Sequence, residues 1–185
     1  MTLGQAKSKA LMLMDEYSSS GALTVDRDID LKMNAFFDTA QKQLSLIKRI
    51  IRRYDLPLAE EVTLYPMPAD FLSVRGVYID SSPVGRGVWN GSSLLLANTK
   101  ELLRGHSVQV EYNAMPSSIT DSTDDSYVFE IAQDAQECMP YFVASQQLIV
   151  DLVVDHRALL SMYDRMVAAL DAPVCAQVTG GVRFG

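Results

Sequence analysis

Apolar residues at Ile29, Met33, Phe36, Phe37, Ala40, Leu44, Ile47, Ile51 and Tyr54 recur at three- and four-residue steps, the spacing that gathers side chains on one face of a helix. This run constrains the chain more than any other. It predicts one helix from Asp28 to Tyr54, about 40 Å long at 1.5 Å per residue. Asp26, Asp28 and Asp30 crowd its start, while Lys48, Arg49, Arg52 and Arg53 crowd its end, and both groups complement the helix dipole. Pro57 is the expected stop.

A second stripe, Leu3, Ala6, Ala10, Leu13, Met14 and Tyr17, predicts an N-terminal helix ended by Ser18-Ser19-Ser20-Gly21. Beyond Pro57 the pattern changes. Val62 to Tyr65 and Leu72 to Ile79 read as strands, and Val108, Val110 and Tyr112 alternate with Gln109 and Glu111. Asn90-Gly91, between Gly87-Val88-Trp89 and Ser93-Leu94-Leu95-Leu96, is a two-residue hairpin signal. Ser117 to Ser126 is a polar, acidic loop, and Tyr127 to Ile131 reads as one more short strand. Asp134 is placed to cap a helix running to about Val154, kinked or broken near Met139 by Pro140. A last helix covers His156 to Leu170. The resulting fold class is α+β, mainly α: a helical bundle (1–59 and 116–171), an inserted small antiparallel β lobe (60–115) and an extended C-terminal tail (172–185).

The chain has 185 residues, 48% of them apolar and 21% charged, with a formal net charge of −7. A chain of this length buries roughly 70% of its unfolded surface, so it needs neither disulfide nor metal to fold. The acidic balance argues against gripping nucleic acid through its phosphates. Cys138 and Cys175 form no metal-ligand spacing and read as free thiols. Lys7 and Lys9 interrupt the early apolar stretch, so no secretory signal is expected, and the apolar runs are too short for a bilayer.

The sequence carries none of the common catalytic patterns. His106 and His156 sit in different elements without a Cys or paired carboxylate at metal spacing. No Gly-x-Ser-x-Gly elbow presents a nucleophile. Gly85-Arg86-Gly87 and Gly180-Gly181 open no phosphate-binding helix. Asp121, Asp124 and Asp125 lack the Gly and terminal Glu of a calcium loop. No catalytic, cofactor or metal residue is expected. Lys48 to Arg53 is the single candidate nucleic-acid patch, and dipole complementation with salt bridges between subunits is the favoured reading of it. Trp89 reads as a packing residue of the hairpin or, if exposed, an interface anchor.

Three stretches resemble the head–tail adaptor (connector) proteins of tailed phages. The first is Asp28-x-Asp30 opening the long helix, followed by Asn34, Ala40 and Gln41. The second is Tyr65-Pro66-Met67-Pro68-Ala69-Asp70-Phe71, similar to the family's leucine-proline-x-aspartate-phenylalanine entry to its β lobe, with Met67 in the leucine position. The third contains Tyr112-Asn113-Ala114-Met115-Pro116, Ile119-Thr120, Asp124-Asp125-Ser126-Tyr127 and Ala135-Gln136-Glu137-Cys138-Met139-Pro140-Tyr141-Phe142-Val143-Ala144, where family members show a Leu-Pro-Tyr-Tyr-Val-Ala-Ala core. The resemblance covers most of the chain between about residues 25 and 170, and its motifs are structural.

The resemblance implies a non-enzymatic protein of the virion neck, made in the host cytoplasm. It implies a dodecameric ring of copies of itself beneath the portal protein, meeting a tail, stopper or tail-terminator protein below. Packaged DNA passes through the channel without specific binding, and no membrane or cofactor is involved. Lys48, Arg49, Arg52, Arg53 and Trp89 become candidate subunit contacts. The tail, with Val178, Gly180, Gly181, Val182, Arg183 and Phe184, becomes a candidate contact to portal or a neighbouring subunit, its bland alternative being a frayed terminus. The rival readings are a helical dimeric interaction or regulatory module and an enzyme with an unrecognised site.

Overall fold

The computed structural model describes residues 1–17, 27–59, 62–85, 88–90, 93–95, 105–150 and 156–171. The chain is an α+β protein. Helices α1 (Leu3–Tyr17) and α2 (Arg27–Ile47) are followed by strands β1 (Ile50–Asp55), β2 (Leu64–Pro66), β3 (Phe71–Ile79), β4 (Ser82–Gly85), β5 (Val88–Asn90), β6 (Ser93–Leu95) and β7 (Val108–Ala114). Then come helices α3 (Gln133–Gln136), α4 (Met139–Val150) and α5 (His156–Asp171).

The helices close around one core. α1 contributes Leu3, Ala6, Ala10 and Met14, and α2 contributes Met33, Phe37, Ala40 and Leu44. α4 packs against α1, α2 and α5 and supplies Met139, Val143, Ala144 and Leu148. Its sequence is apolar nearly all round, as a helix enclosed on several sides requires. The segment between β7 and α3 has little regular structure, yet Ile119, Phe129 and Ile131 are core residues.

The strands form two antiparallel sheets, one in the order β1-β7-β3-β4 and one in the order β2-β6-β5. Leu94 and Tyr65 of the smaller sheet pack with Val77, Val108 and Val110 of the larger one, and Leu56 completes this second core. β7 lies between β1 and β3 and alternates buried and half-buried residues along its whole length, as its sequence predicts.

Several expectations are corrected. The long helix stops at Ile47, so α2 is about 30 Å long, and Pro57 is not its terminator. Ile50 to Asp55 is strand β1, with inner Ile50, Arg52 and Tyr54 alternating against outer Ile51, Arg53 and Asp55. Arg52 occupies an inner position, so the two-residue alternation is hidden in the sequence and the helical period prevails. Arg52 and Arg53 therefore do not serve a helix dipole, whereas Lys48 follows directly on α2 and donates its N–H to the Leu44 carbonyl at 2.8 Å. Tyr127 to Ile131 forms no strand, only a single bridge from Val128 to Thr2.

Asp134 is not the cap of α3. Ala132 holds that position without a side-chain cap, and the Asp134 carboxylate accepts the N–H of Ala135 at 2.9 Å. The break near Met139 is as expected: α3 ends at Gln136 and Pro140 sits in the first turn of α4, where its missing N–H costs nothing. The expected hairpin exists as β5 paired with β6. Asn90 is opposite Ser93, so Asn90 belongs to the ladder and is not the turn residue that the Asn90-Gly91 signal requires. Residues 18–21, 151–155 and the tail 172–185 lie outside the described residues.

Candidate functional site

α2 carries a polar stripe beside its apolar one: Asn34, Asp38, Gln41 and Lys42 recur at helical spacing and all reach the segment between β7 and α3. Gln41 is fully buried and is the hub. Its Nε2 donates to the Ser117 carbonyl at 3.1 Å and to the Tyr127 hydroxyl at 3.2 Å, and its Oε1 accepts the Glu130 N–H at 3.2 Å. Asn34 donates to the Thr120 carbonyl at 3.1 Å, and Asp38 accepts the Ile119 N–H at 2.9 Å. An unpaired buried backbone group costs about 1–3 kcal/mol, so these side chains let an irregular segment run through a core.

The acidic loop docks on the start of α1. The carbonyls of Tyr127 and Asp125 accept the N–H groups of Leu3 and Gly4 at 2.8 and 2.9 Å, satisfying donors that a helix start leaves open. The approach depends on Gly4, since a Cβ there would lie 3.1 Å from the Asp125 Cβ. Lys7 is buried between Asp30 at 2.7 Å and Asp125 at 2.8 Å. Burial works against its charge, but the hydrogen bonds and charges of Asp125 and Asp30 prevail and hold its pKa above the ordinary lysine value.

The joint between helices and sheet is charged. Arg52, inside β1, forms ion pairs with Asp70, just before β3, and with Glu130, just before α3. The Tyr112 hydroxyl of β7 donates to Asp70 at 3.1 Å, and the Asp70 carbonyl accepts the Met115 N–H at 2.8 Å. Glu130 also accepts the Ser117 N–H at 3.1 Å. Burial, with the Asp70 carboxylate beside it, raises the Tyr112 pKa. The Phe71 ring packs at 5.8 Å from Tyr112. One guanidinium thus ties β1, the entry to β3 and the segment that leads into α3.

Two further residues of the basic segment, Lys48 and Arg53, face carboxylates of the same chain. Lys48 lies 3.3 Å from Asp134. Arg53 pairs with Glu111 at 3.2 Å and covers the Tyr78 ring at 5.6 Å, while Arg75 approaches Glu111 from the other side at 3.3 Å. Arg49 is exposed and has no ion pair among the described residues. The backbone of Trp89 pairs with Leu94 in the hairpin, and its side chain lies outside the described residues. So do Val178, Gly180, Gly181, Val182, Arg183 and Phe184.

His106 contacts the Asp80 carboxylate at the β3–β4 turn, while His156 opens α5. Among the described residues no three His, Cys, Asp or Glu side chains cluster to hold a metal ion. Two shallow grooves run along α1, of about 510 and 220 Å³, and the Lys9–Glu137 ion pair, 2.6 Å long, lines both. Neither brings a nucleophile to a base. No helix among the described residues is long and apolar enough to cross a membrane.

Sequence reasoning named Asp70, Tyr112, Tyr127 and Gln41 as parts of motifs without giving them roles, and it missed Glu130. Those roles appear only when residues as far apart as Arg52 and Glu130 are brought together. No protein-family model matches the chain, and no curated protein matches it.

Proposed function

We propose that the chain is a structural, non-enzymatic head–tail adaptor of a tailed phage, one subunit of a ring beneath the portal that joins capsid to tail. One observation carries the reading. The three stretches that resemble the adaptor family, distant in sequence, meet at the joint between helices and sheet. Gln41 from the first holds Ser117, Tyr127 and Glu130. Asp70 from the second holds Arg52 and, in the third, Tyr112. The third also supplies Cys138, Met139, Val143 and Ala144 to the helical core. Motifs spent on positioning a sheet against helices fit a protein whose work is mechanical.

In this reading the subunits repeat around a channel through a heterologous contact, one face meeting a different face of the next copy. Exposed Arg49 is available to such a contact. The net charge of −7 gives a channel wall that does not retain DNA by its phosphates. The portal protein binds above, a tail or stopper protein binds below, and the tail residues 172–185 contact portal or a neighbouring copy.

The test is to add the purified chain to DNA-filled, portal-bearing heads that lack their neck proteins and image the vertex. The expected result is a ring of added density under the portal and better DNA retention. Heads that neither bind the chain nor retain DNA better would overturn the proposal.

A further inference from the structure

The four-stranded sheet has two outer strands, β4 and β1, and they are finished differently. β4 follows a two-residue turn, Asp80-Ser81, with φ of 46° and 68°, values of the tight hairpin turn whose flanking residues exchange hydrogen bonds. Ile79 and Ser82 are therefore the bonded pair. Pro83, opposite Tyr78, turns its nitrogen outward. Proline has no N–H, so that edge lacks a donor where an added strand would need one.

β1 itself, Ile50–Asp55, holds no proline, and Pro57 lies beyond its end. Leu56 donates to the Val108 carbonyl at 2.9 Å in a register that runs without a bulge, which makes Tyr54, Arg52 and Ile50 the residues bonded to β7. Ile51, Arg53 and Asp55 turn their backbone N–H and C=O groups away from the sheet. Among the described residues no strand covers that edge. Their side chains are exposed, Ile51 at 51%.

We propose that this edge pairs with β1 of a second copy, antiparallel about a twofold axis at Tyr54, to give one continuous eight-stranded sheet. The charges select that register. Outward residues must pair with outward residues, which leaves three central alignments. An axis at Arg53 sets Arg53 against its own copy. An axis at Arg52 sets two Arg52 side chains against each other in the closest kind of cross-strand pair. Like charges directly opposite are unfavourable in both cases. With the axis at Tyr54, Arg53 lies opposite Asp55 of the partner subunit on each side of the axis. The main chains of those two pairs exchange hydrogen bonds, and the two Tyr54 side chains meet. Protection of the β4 edge makes the pairing stop at two copies. The pairing goes beyond the adaptor reading and does not rest on it, because it concerns the free chain in solution.

Sedimentation of the purified chain across a concentration series tests the pairing. The expected result is a reversible monomer–dimer equilibrium. D55R, checked for fold by circular dichroism, faces Arg53 with arginine and weakens the dimer about tenfold or more. The double change R53D/D55R restores opposite charges and recovers the dimer. In a C175S background, Y54C forms a covalent dimer under mild oxidation, since residues facing each other at such a position lie within disulfide reach, and R52C does not. A chain that stays monomeric, a D55R variant that pairs as well as the parent, or cross-linking by R52C in place of Y54C overturns the proposal.

Discussion

The helical and sheet regions have solved the same problem in opposite ways. In the helical region the polar side chains that matter point inward: Gln41, Asn34 and Asp38 hold the backbone of the segment between β7 and α3 within the molecule. In the sheet region they lie on the outer face, where Arg53, Arg75 and Glu111 bridge strands in water and Gln109 meets Asp55 at 2.7 Å. Exposed pairs of this kind contribute about 0–1 kcal/mol each, whereas an orphaned buried group costs more. The helices are therefore internally committed, and the sheet keeps a surface and an edge open to a partner.

Core truncations should separate the two regions most strongly. Phe37→Ala in the helical core should cost about 3–5 kcal/mol in chemical denaturation. Leu94→Ala in the sheet core should cost about 2–5 kcal/mol. In the Leu94 variant, amide exchange should quicken in β2, β6 and β7 while α2 and α4 stay protected. Equal acceleration in α4 would mean that the two cores open as one unit, and the contrast would fall.

Gln41→Leu should come next, at about 2–3 kcal/mol, because it strips partners from the Ser117 carbonyl and the Glu130 N–H. A loss no larger than that of an exposed substitution would show that the segment does not depend on this anchor. Arg52→Met should cost only about 1 kcal/mol, since its side chain is 38% exposed and the surrounding charges are partly screened. A double-mutant cycle with Asp70→Asn and Glu130→Gln should assign most of that loss to the two pairs.

The pH responses should also divide by region, with smaller effects near neutrality. Burial in the helical core, with Cys138 and Asp164 nearby, pushes the Tyr163 pKa up to about 12. Its protonated form is favoured in the fold, so its contribution is intact below about pH 10 and is lost as pH rises towards 12. Tyrosinate absorbance against pH reads this directly. In the sheet turn, the hydrogen bond with His106 and then the Ser107 N–H hold the Asp80 carboxyl below its ordinary value. That contribution is present above the usual aspartate range and is lost as pH falls through the lowered value. NMR titration of Asp80 should show the lowered midpoint, and His106→Ala should bring it back up.

Much of this contrast can be read from the amino acids. α1 and α5 announce themselves by their stripes, β7 by its alternation, and the α3–α4 break by Pro140. β1 escapes because an arginine occupies an inner strand position, and because Ile47, Ile51 and Tyr54 also satisfy a helical period. Tyr127 to Ile131 has strand composition, but its hydrogen bonds go to Gln41 and α1, not to a ladder. The joint was the least legible feature. Arg52, Asp70 and Glu130 are ordinary charged residues until a sheet and a helix core stand side by side.

The docking of the acidic loop on α1 has a consequence for the order in which the chain is made. α1 leaves the ribosome well ahead of the loop that completes it: its opening N–H groups are satisfied by Tyr127 and Asp125, and its buried Lys7 is neutralised by Asp30 and Asp125. At about 5–20 residues per second, Asp125 and Tyr127 emerge roughly 6 to 25 seconds after the helix itself. α1 therefore waits, with Asp30 alone available to Lys7 and its stripe uncovered, until the acidic loop and α4 arrive. Made well before the segments that hold it, α1 is among the last elements to be set in place.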